Sequence, residues 1–193
     1  MKPVLLVFFL NILVLHTVVN GQQIDSLLVK RIEHTWQLSQ NLILKGCCCK
    51  KDLDSANRLM TALLTSTFHQ SGFPGYSLVG QAGAATFFKI LSSVKDNLPL
   101  QKKGLQLMHQ QVDNKNASVE LYAQLSDQLS YQETGKQVYG TIVGIDCIGC
   151  TNSQLKPAPI KDSSNVDGRR KQIGLPPLSA SLQEMKARID KQF

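Results

Sequence analysis

Ser77-Leu78-Val79-Gly80-Gln81-Ala82-Gly83-Ala84-Ala85-Thr86-Phe87-Phe88-Lys89-Ile90-Leu91 is the stretch that decides the fold. Within it Ala84, Phe87, Phe88 and Leu91 recur at i, i+3, i+4 and i+7, one continuous apolar stripe along an α-helix. A stripe of that width has to be buried, so this is expected to be the central helix, with its neighbours in the chain packed around it. Gly80, Ala82, Gly83, Ala84 and Ala85 keep its early turns small-sided, which admits another backbone or a ligand. Tight helix packing is the expectation there, because a phosphate-cradling loop needs a fuller glycine pattern than Gly80 and Gly83.

Upstream, the segment from about Asp52 places Leu53, Ala56, Leu59, Met60, Leu63 and Leu64 on one helical face, and Gly72-Phe73-Pro74-Gly75 then breaks the chain. Before it, Gln22 to Lys45 reads as an amphipathic helix whose apolar positions are Ile24, Leu27, Leu28, Leu38, Leu42 and Ile43. Gly46 stops that helix ahead of a Cys47-Cys48-Cys49 connection. Downstream, Asn97 is suited to cap a fourth helix with Pro99 in its first turn, and Leu98, Leu105, Met108 and Val112 fall on one side. Asn116 or Ser118 caps a fifth, with Tyr122, Leu125 and Leu129 on its face and Gly135 as a left-handed stop.

From Gln137 to Ile145 the residues become β-branched or aromatic, which predicts a short strand. Residues around Leu155 to Ile160 return beside it, limited by Pro157 and Pro159 to an edge or irregular segment. Ser181-Leu182-Gln183-Glu184 reads as a capping box opening a terminal helix with Leu182, Met185 and Ile189 facing inward. The expected fold is mainly α: a single helical domain of about six helices, with one small β-hairpin between the fifth and the last.

The N-terminus bounds the compartment. Lys2, the apolar run Val4 to Val19 and the small residues of Val19-Asn20-Gly21 have the order of a secretory signal peptide, 1–21, cleaved before Gln22. The run is shorter than the roughly 20 residues that span hydrocarbon, so the expectation is a periplasmic or secreted chain with no transmembrane segment after cleavage. Without Lys2, 20 basic residues face 14 acidic ones, a charge near +6. Lys156, Lys161, Arg169, Arg170 and Lys171 lie close together, but no aromatic residue is interleaved with them, and a solvated basic face is expected rather than a nucleic-acid site.

Asn165-Val166-Asp167-Gly168-Arg169-Arg170-Lys171-Gln172-Ile173-Gly174-Leu175-Pro176-Pro177-Leu178 has an order that neither composition nor periodicity explains, and it reads as a signature carried on a loop. Two further landmarks precede it: Gly72-Phe73-Pro74 followed by Ser77-Leu78-Val79-Gly80, and Gly135-x-Gln137-x-Tyr139-Gly140-Thr141. Together they resemble an uncharacterised bacterial domain-of-unknown-function family with Y-G-T-(Q) and V-D-x-R-R-x-x-x-G-L-x-P-L motifs, over about Asp52 to Met185. With the signal segment and the first helix read above, the chain divides into the signal segment 1–21, an N-terminal helix with its Cys-rich connection over 22–51, and a family-like helical domain over 52–193. It implies no activity. Where the family pattern carries a Gln-His-Ala-Asp-like run at the end of the central helix, this chain has Ser92-Ser93-Val94-Lys95. Y-G-T-Q becomes Tyr139-Gly140-Thr141-Ile142, and an Asp-Arg pair becomes Asp127-Gln128. If those groups build a site in the family, an imidazole and a carboxylate are missing from it here.

Two constellations could carry chemistry. Asp167 can pair with one of Arg169 and Arg170 while the other grips a carboxylate or phosphate, with Tyr139 nearby. Alternatively, Asp167 braces its own loop and both arginines dock that loop onto the helices. Cys147-Ile148-Gly149-Cys150 can form a local disulfide or one reaching Cys47, Cys48 or Cys49. A zinc site, a redox-active pair and free thiols are the alternatives, and no metal is expected because regular two-pair spacing is lacking. His34, His69 and His109 stand in no ligand or catalytic pattern, and the hydrolase, nucleotide-binding and dehydrogenase signatures are missing, so no cofactor is expected. Asn116-Ala117-Ser118 matches a glycosylation acceptor. A binding or interaction protein is the leading expectation. An enzyme of unknown reaction, with an anionic-substrate site around Tyr139, Asp167, Arg169 and Arg170, is its alternative.

Overall fold

Seven α-helices and one two-stranded antiparallel hairpin make up the described residues of the computed structural model, which are 23–45, 50–145 and 154–191. The five cysteines and the expected signal segment 1–21 lie outside them. The first helix, α1 (Ser26–Lys45), starts later than its apolar pattern suggested. Asp25 sets the boundary by accepting the Leu28 N–H at 2.9 Å, and its own N–H donates to the Leu78 carbonyl at 2.8 Å. The buried stripe of α1 runs through Leu28, Ile32 and Ser39, whereas Ile24, Leu27 and Leu38 face outward. The expected set had mixed two faces: Ile32 lies one turn beyond Leu28, and that spacing selects which leucines go inside.

Next come α2 (Lys50–Gln70) and α3 (Tyr76–Ser93), which with α1 surround an apolar centre. Phe87 of α3 is fully buried and meets Phe68 and Phe73 edge-on, with ring centroids 5.8 and 5.5 Å apart. The stripe Ala84, Phe87, Phe88 and Leu91 is therefore the core, as its spacing requires. In α2 the inward positions are Ala56, Met60, Leu63, Leu64, Thr67 and Phe68, while Leu53 and Leu59 are exposed. Gly80 interrupts α3 with φ 71° and ψ 171°, a conformation that a side chain resists. A Cβ on Gly83 would stand 2.9 Å from the Cβ of Val79 one turn earlier, too close for a side chain, and 3.7 Å from Val29 of α1, an ordinary contact.

Asn97 caps α4 (Leu98–Asp113) through the Leu100 N–H at 3.2 Å, and Ser118 caps α5 (Val119–Thr134) through the Leu121 N–H at 3.1 Å. Gly135 ends α5 in the left-handed region at φ 67°. A Cβ on Gly104 of α4 would sit 2.6 Å from Leu91 and 3.0 Å from Phe68, so α4 lies close against the central helices because this residue has no side chain. The Asn116 amide donates to Ser77 Oγ at 3.0 Å and to Gln111 Oε1 at 2.7 Å. Both its hydrogens are thus bonded within the fold.

The predicted strand from Gln137 is shorter than its composition implied. β1 (Val143–Ile145) pairs antiparallel with β2 (Leu155–Pro157), Gly144 opposite Lys156. Residues 137–142 form a loop instead, because a buried carboxylate takes the N–H groups that a ladder would use. The signature, expected on a loop, contains a short helix, α6 (Val166–Gln172). The last helix, α7 (Leu178–Asp190), begins before Ser181, so Ser181 is no cap and its N–H bonds the Pro177 carbonyl at 3.1 Å. Of its expected inward face, Leu182 and Ile189 are half-buried and Met185 is exposed.

Candidate functional site

Helix α5 buries two faces. Leu125 and Leu129 point into the apolar core, while Ala123, Asp127 and Ser130 form a second stripe at i, i+4 and i+7 against the loop that follows. Asp127 is wholly buried there. Its Oδ1 accepts the N–H groups of Val138 and Tyr139 at 2.6 and 2.7 Å, and its Oδ2 accepts the N–H and hydroxyl of Thr141 at 2.7 and 2.8 Å. Four donors around one carboxylate are what permit its burial.

Gln137 closes the base of the same loop. Its amide donates to the Ile142 and Ala158 carbonyls and accepts the Ile142 N–H, while its main chain bonds Pro159 and Lys161. Gly140 forms the bend at φ 81°, and a Cβ there would come within 2.9 Å of Leu178.

The carbonyl side of the loop is held by the signature arginines. Arg169 donates through Nε to the Val138 carbonyl at 3.0 Å and through one terminal nitrogen to the Lys161 and Asp162 carbonyls, with the Asp162 carboxylate 3.7 Å away. Arg170 is 3% exposed and donates to the Pro176 carbonyl at 2.7 Å, the Tyr139 carbonyl at 2.6 Å and the Ser181 hydroxyl at 2.5 Å. The peptide unit joining Val138 to Tyr139 is consequently gripped at both ends, its C=O by the Arg169 guanidinium and its N–H by the Asp127 carboxylate. Both charges are aligned with the peptide dipole. Burial pulls the Arg170 pKa below its ordinary value, against the opposing pull of Asp167 and Asp127.

Asp167 does brace the segment that follows it: its Oδ1 accepts the Leu178 N–H at 2.8 Å at the start of α7. Tyr139 turns its ring toward Tyr122, centroids 6.4 Å apart, and Tyr122 in turn lies 5.2 Å from the His109 ring. His109 Nδ1 stands 3.3 Å from Asp113. Burial first, then the neighbouring Tyr139 phenol, push the Tyr122 pKa up to about 12, and burial also raises that of Tyr139. The four candidates Tyr139, Asp167, Arg169 and Arg170 thus gather around one loop, but they face different ways.

Of the four, Arg170 lines a groove. That groove, of about 460 Å³, runs between the start of α5, the Gly140-Thr141 bend and α7. Its walls include Val143, Leu175, Leu178, Leu182 and Met185, with the hydroxyl residues Thr141 and Ser181 beside the guanidinium and Glu120, Glu184 and Arg188 also lining it. No residue of α3 borders it, so the small-sided turns near Gly80 are not part of this groove. Among the described residues no three His, Cys, Asp or Glu side chains gather as metal ligands, and no helix is long and apolar enough to cross a membrane.

Sequence reasoning did not single out Gln137 or Ser181 as site residues, and it met Asp127 only as a departure from a motif. The stripe Ala123, Asp127, Ser130 was the available signal, being a small and polar face on a helix that already had an apolar one.

No curated protein and no solved structure matches the chain. A family model does match residues 49–189, which take in α2 to α6, the hairpin and nearly all of α7, and the protein accordingly belongs to the family of unknown function DUF6624.

Proposed function

We propose that the protein is exported, to the periplasm or beyond, and acts by binding, with the signature arginines bracing the fold and the groove beside Gly140 and Thr141 receiving the ligand. The observation that carries this reading is where the guanidinium hydrogen bonds end. Among the described residues, five of the six made by Arg169 and Arg170 reach main-chain carbonyls and the sixth reaches the Ser181 hydroxyl, so these side chains hold the loop in place. The groove that they leave beside them is walled by apolar side chains with a few convergent polar groups, the chemistry of a recognition site.

The competing reading is an enzyme with an anionic substrate around Tyr139, Asp167, Arg169 and Arg170. It draws on the N–H donors that Arg170 has left over after three bonds.

The test is amide-resolved NMR of the mature chain titrated with small-molecule fragments of neutral, anionic and cationic character. Saturable shifts at Thr141, Ser181 and Leu182 are expected. If no class of fragment moves those resonances, the groove is not a binding site. Export has its own measurement: the first residue of the protein recovered outside the cytoplasm should be Gln22, and recovery only inside cells with Met1 retained sinks that part.

A further inference from the structure

We infer that the groove takes a small monocarboxylate with an apolar body, held by its carboxylate on the Arg170 guanidinium. This rests on the binding reading above and adds the class of ligand.

The first support is charge. Arg170 is a buried cation at the groove, yet among the described residues no carboxylate lies within 4.0 Å of it. The two acids whose fields reach it are already engaged, Asp127 by four donors of the loop and Asp167 by the Leu178 N–H. Carbonyl and hydroxyl oxygens offset the desolvation of a cation only in part, and a directly paired anion completes the compensation.

Donor count is the second support. A guanidinium has five N–H groups. Nε and each terminal nitrogen of Arg170 make one bond apiece, so among the described residues one hydrogen on each terminal nitrogen has no acceptor. Two donors on one planar fork match the two oxygens of a carboxylate. The Thr141 and Ser181 hydroxyls stand in the same wall.

The rest of the lining sets the body and the charge of the ligand. Val143, Leu175, Leu178, Leu182 and Met185 offer apolar surface, and about 460 Å³ falls within the size of small-molecule sites. Glu120 and Glu184 also line the groove, the latter paired with Arg188 at 2.5 Å. Arg188 offsets Glu184, whereas Glu120 has no cation within 4.0 Å among the described residues and opposes a second negative charge, which favours a monocarboxylate over a phosphate ester or a dicarboxylate.

Octanoate, octanamide and octyl phosphate, titrated into the mature chain by calorimetry with amide NMR as the map, separate the outcomes. Octanoate is expected to bind and to shift Thr141, Ser181 and Leu182, with the other two weaker by about tenfold or more. Met185→Glu places a new carboxylate at an exposed position of the groove, away from the clamp, and should weaken octanoate by about tenfold while circular dichroism is unchanged. Equal binding of octanamide and octanoate overturns the carboxylate assignment and leaves the groove a binding site. Octanoate shifts confined to another face overturn it too, as does Met185→Glu binding like the parent chain. If neither octanoate nor any fragment of the neutral and cationic sets moves a groove resonance, the binding reading falls as well.

Discussion

The helical core around Phe87 and the polar knot around Asp127 hold the two ends of the same molecule by opposite means. In the core, Phe68, Phe73 and Phe87 meet edge-on among aliphatic side chains, and the attraction is non-directional and proportional to the area buried. In the knot, a carboxylate, a carboxamide and two guanidiniums bond the main chain of one six-residue loop, 137–142, at 2.6 to 3.0 Å. Each donor there has a particular acceptor. The core should therefore tolerate changes that keep volume, and the knot should tolerate almost none that alter a donor or acceptor.

Asp127→Ala should have the largest effect. It strands the N–H groups of Val138, Tyr139 and Thr141, and at about 1–3 kcal/mol for each buried unsatisfied donor the loss approaches the whole stability of a small domain. Urea denaturation should show a chain unfolded or nearly so in buffer; a midpoint close to that of the parent would mean that the loop finds other partners. Phe87→Ala comes next, at about 3–5 kcal/mol for a fully buried aromatic ring. Phe87→Leu should recover much of that loss, which is the contrast with the knot.

Arg170→Lys preserves the charge and gives up the fork, so that fewer of three bonds survive, and a loss of about 2–3 kcal/mol is expected in the same denaturation measurement. A midpoint unchanged from the parent would contradict the clamp.

The smallest effect concerns Tyr122, beside the knot. Its folded pKa of about 12 stands above the ordinary 10, so the stability it contributes is fully present below pH 10 and is lost as pH rises from 10 to about 12. Thermal melts across that window should fall for the parent and fall less steeply for Tyr122→Phe. Parallel curves would sink the assignment.

Much of the helical half was legible along the chain. The stripe from Ala84 to Leu91, the caps Asn97 and Ser118 and the stop at Gly135 are local rules written within one or two turns, and each is met in the fold. The face of α1 was less legible, since Leu27 and Leu38 are as apolar as Leu28 and only contact with α2 and α3 decides which is covered. In the second half, the residues that matter were visible as a signature but not as a geometry. Val138 to Ile142 have strand composition, yet Asp127, 11 to 14 positions earlier, takes the N–H groups of Val138, Tyr139 and Thr141, Gln137 takes that of Ile142, and the segment bends into a loop. Ser181 looked like a cap because Glu184 follows it at capping-box spacing, but α7 already has a start at Leu178, where Asp167 receives the first N–H.

Taken alone, the chain determined a mainly helical protein with a central apolar helix and a late hairpin, because periodicity and capping act over a few residues. It also marked Tyr139, Asp167, Arg169 and Arg170 as belonging together. Tertiary structure alone decided that Arg169 and Arg170 grip carbonyls of the loop whose N–H groups Asp127 holds, and that Arg170 lines an apolar groove. Hydrogen bonds between residues 31 positions apart depend on where the helices bring them, and no local pattern carries that distance.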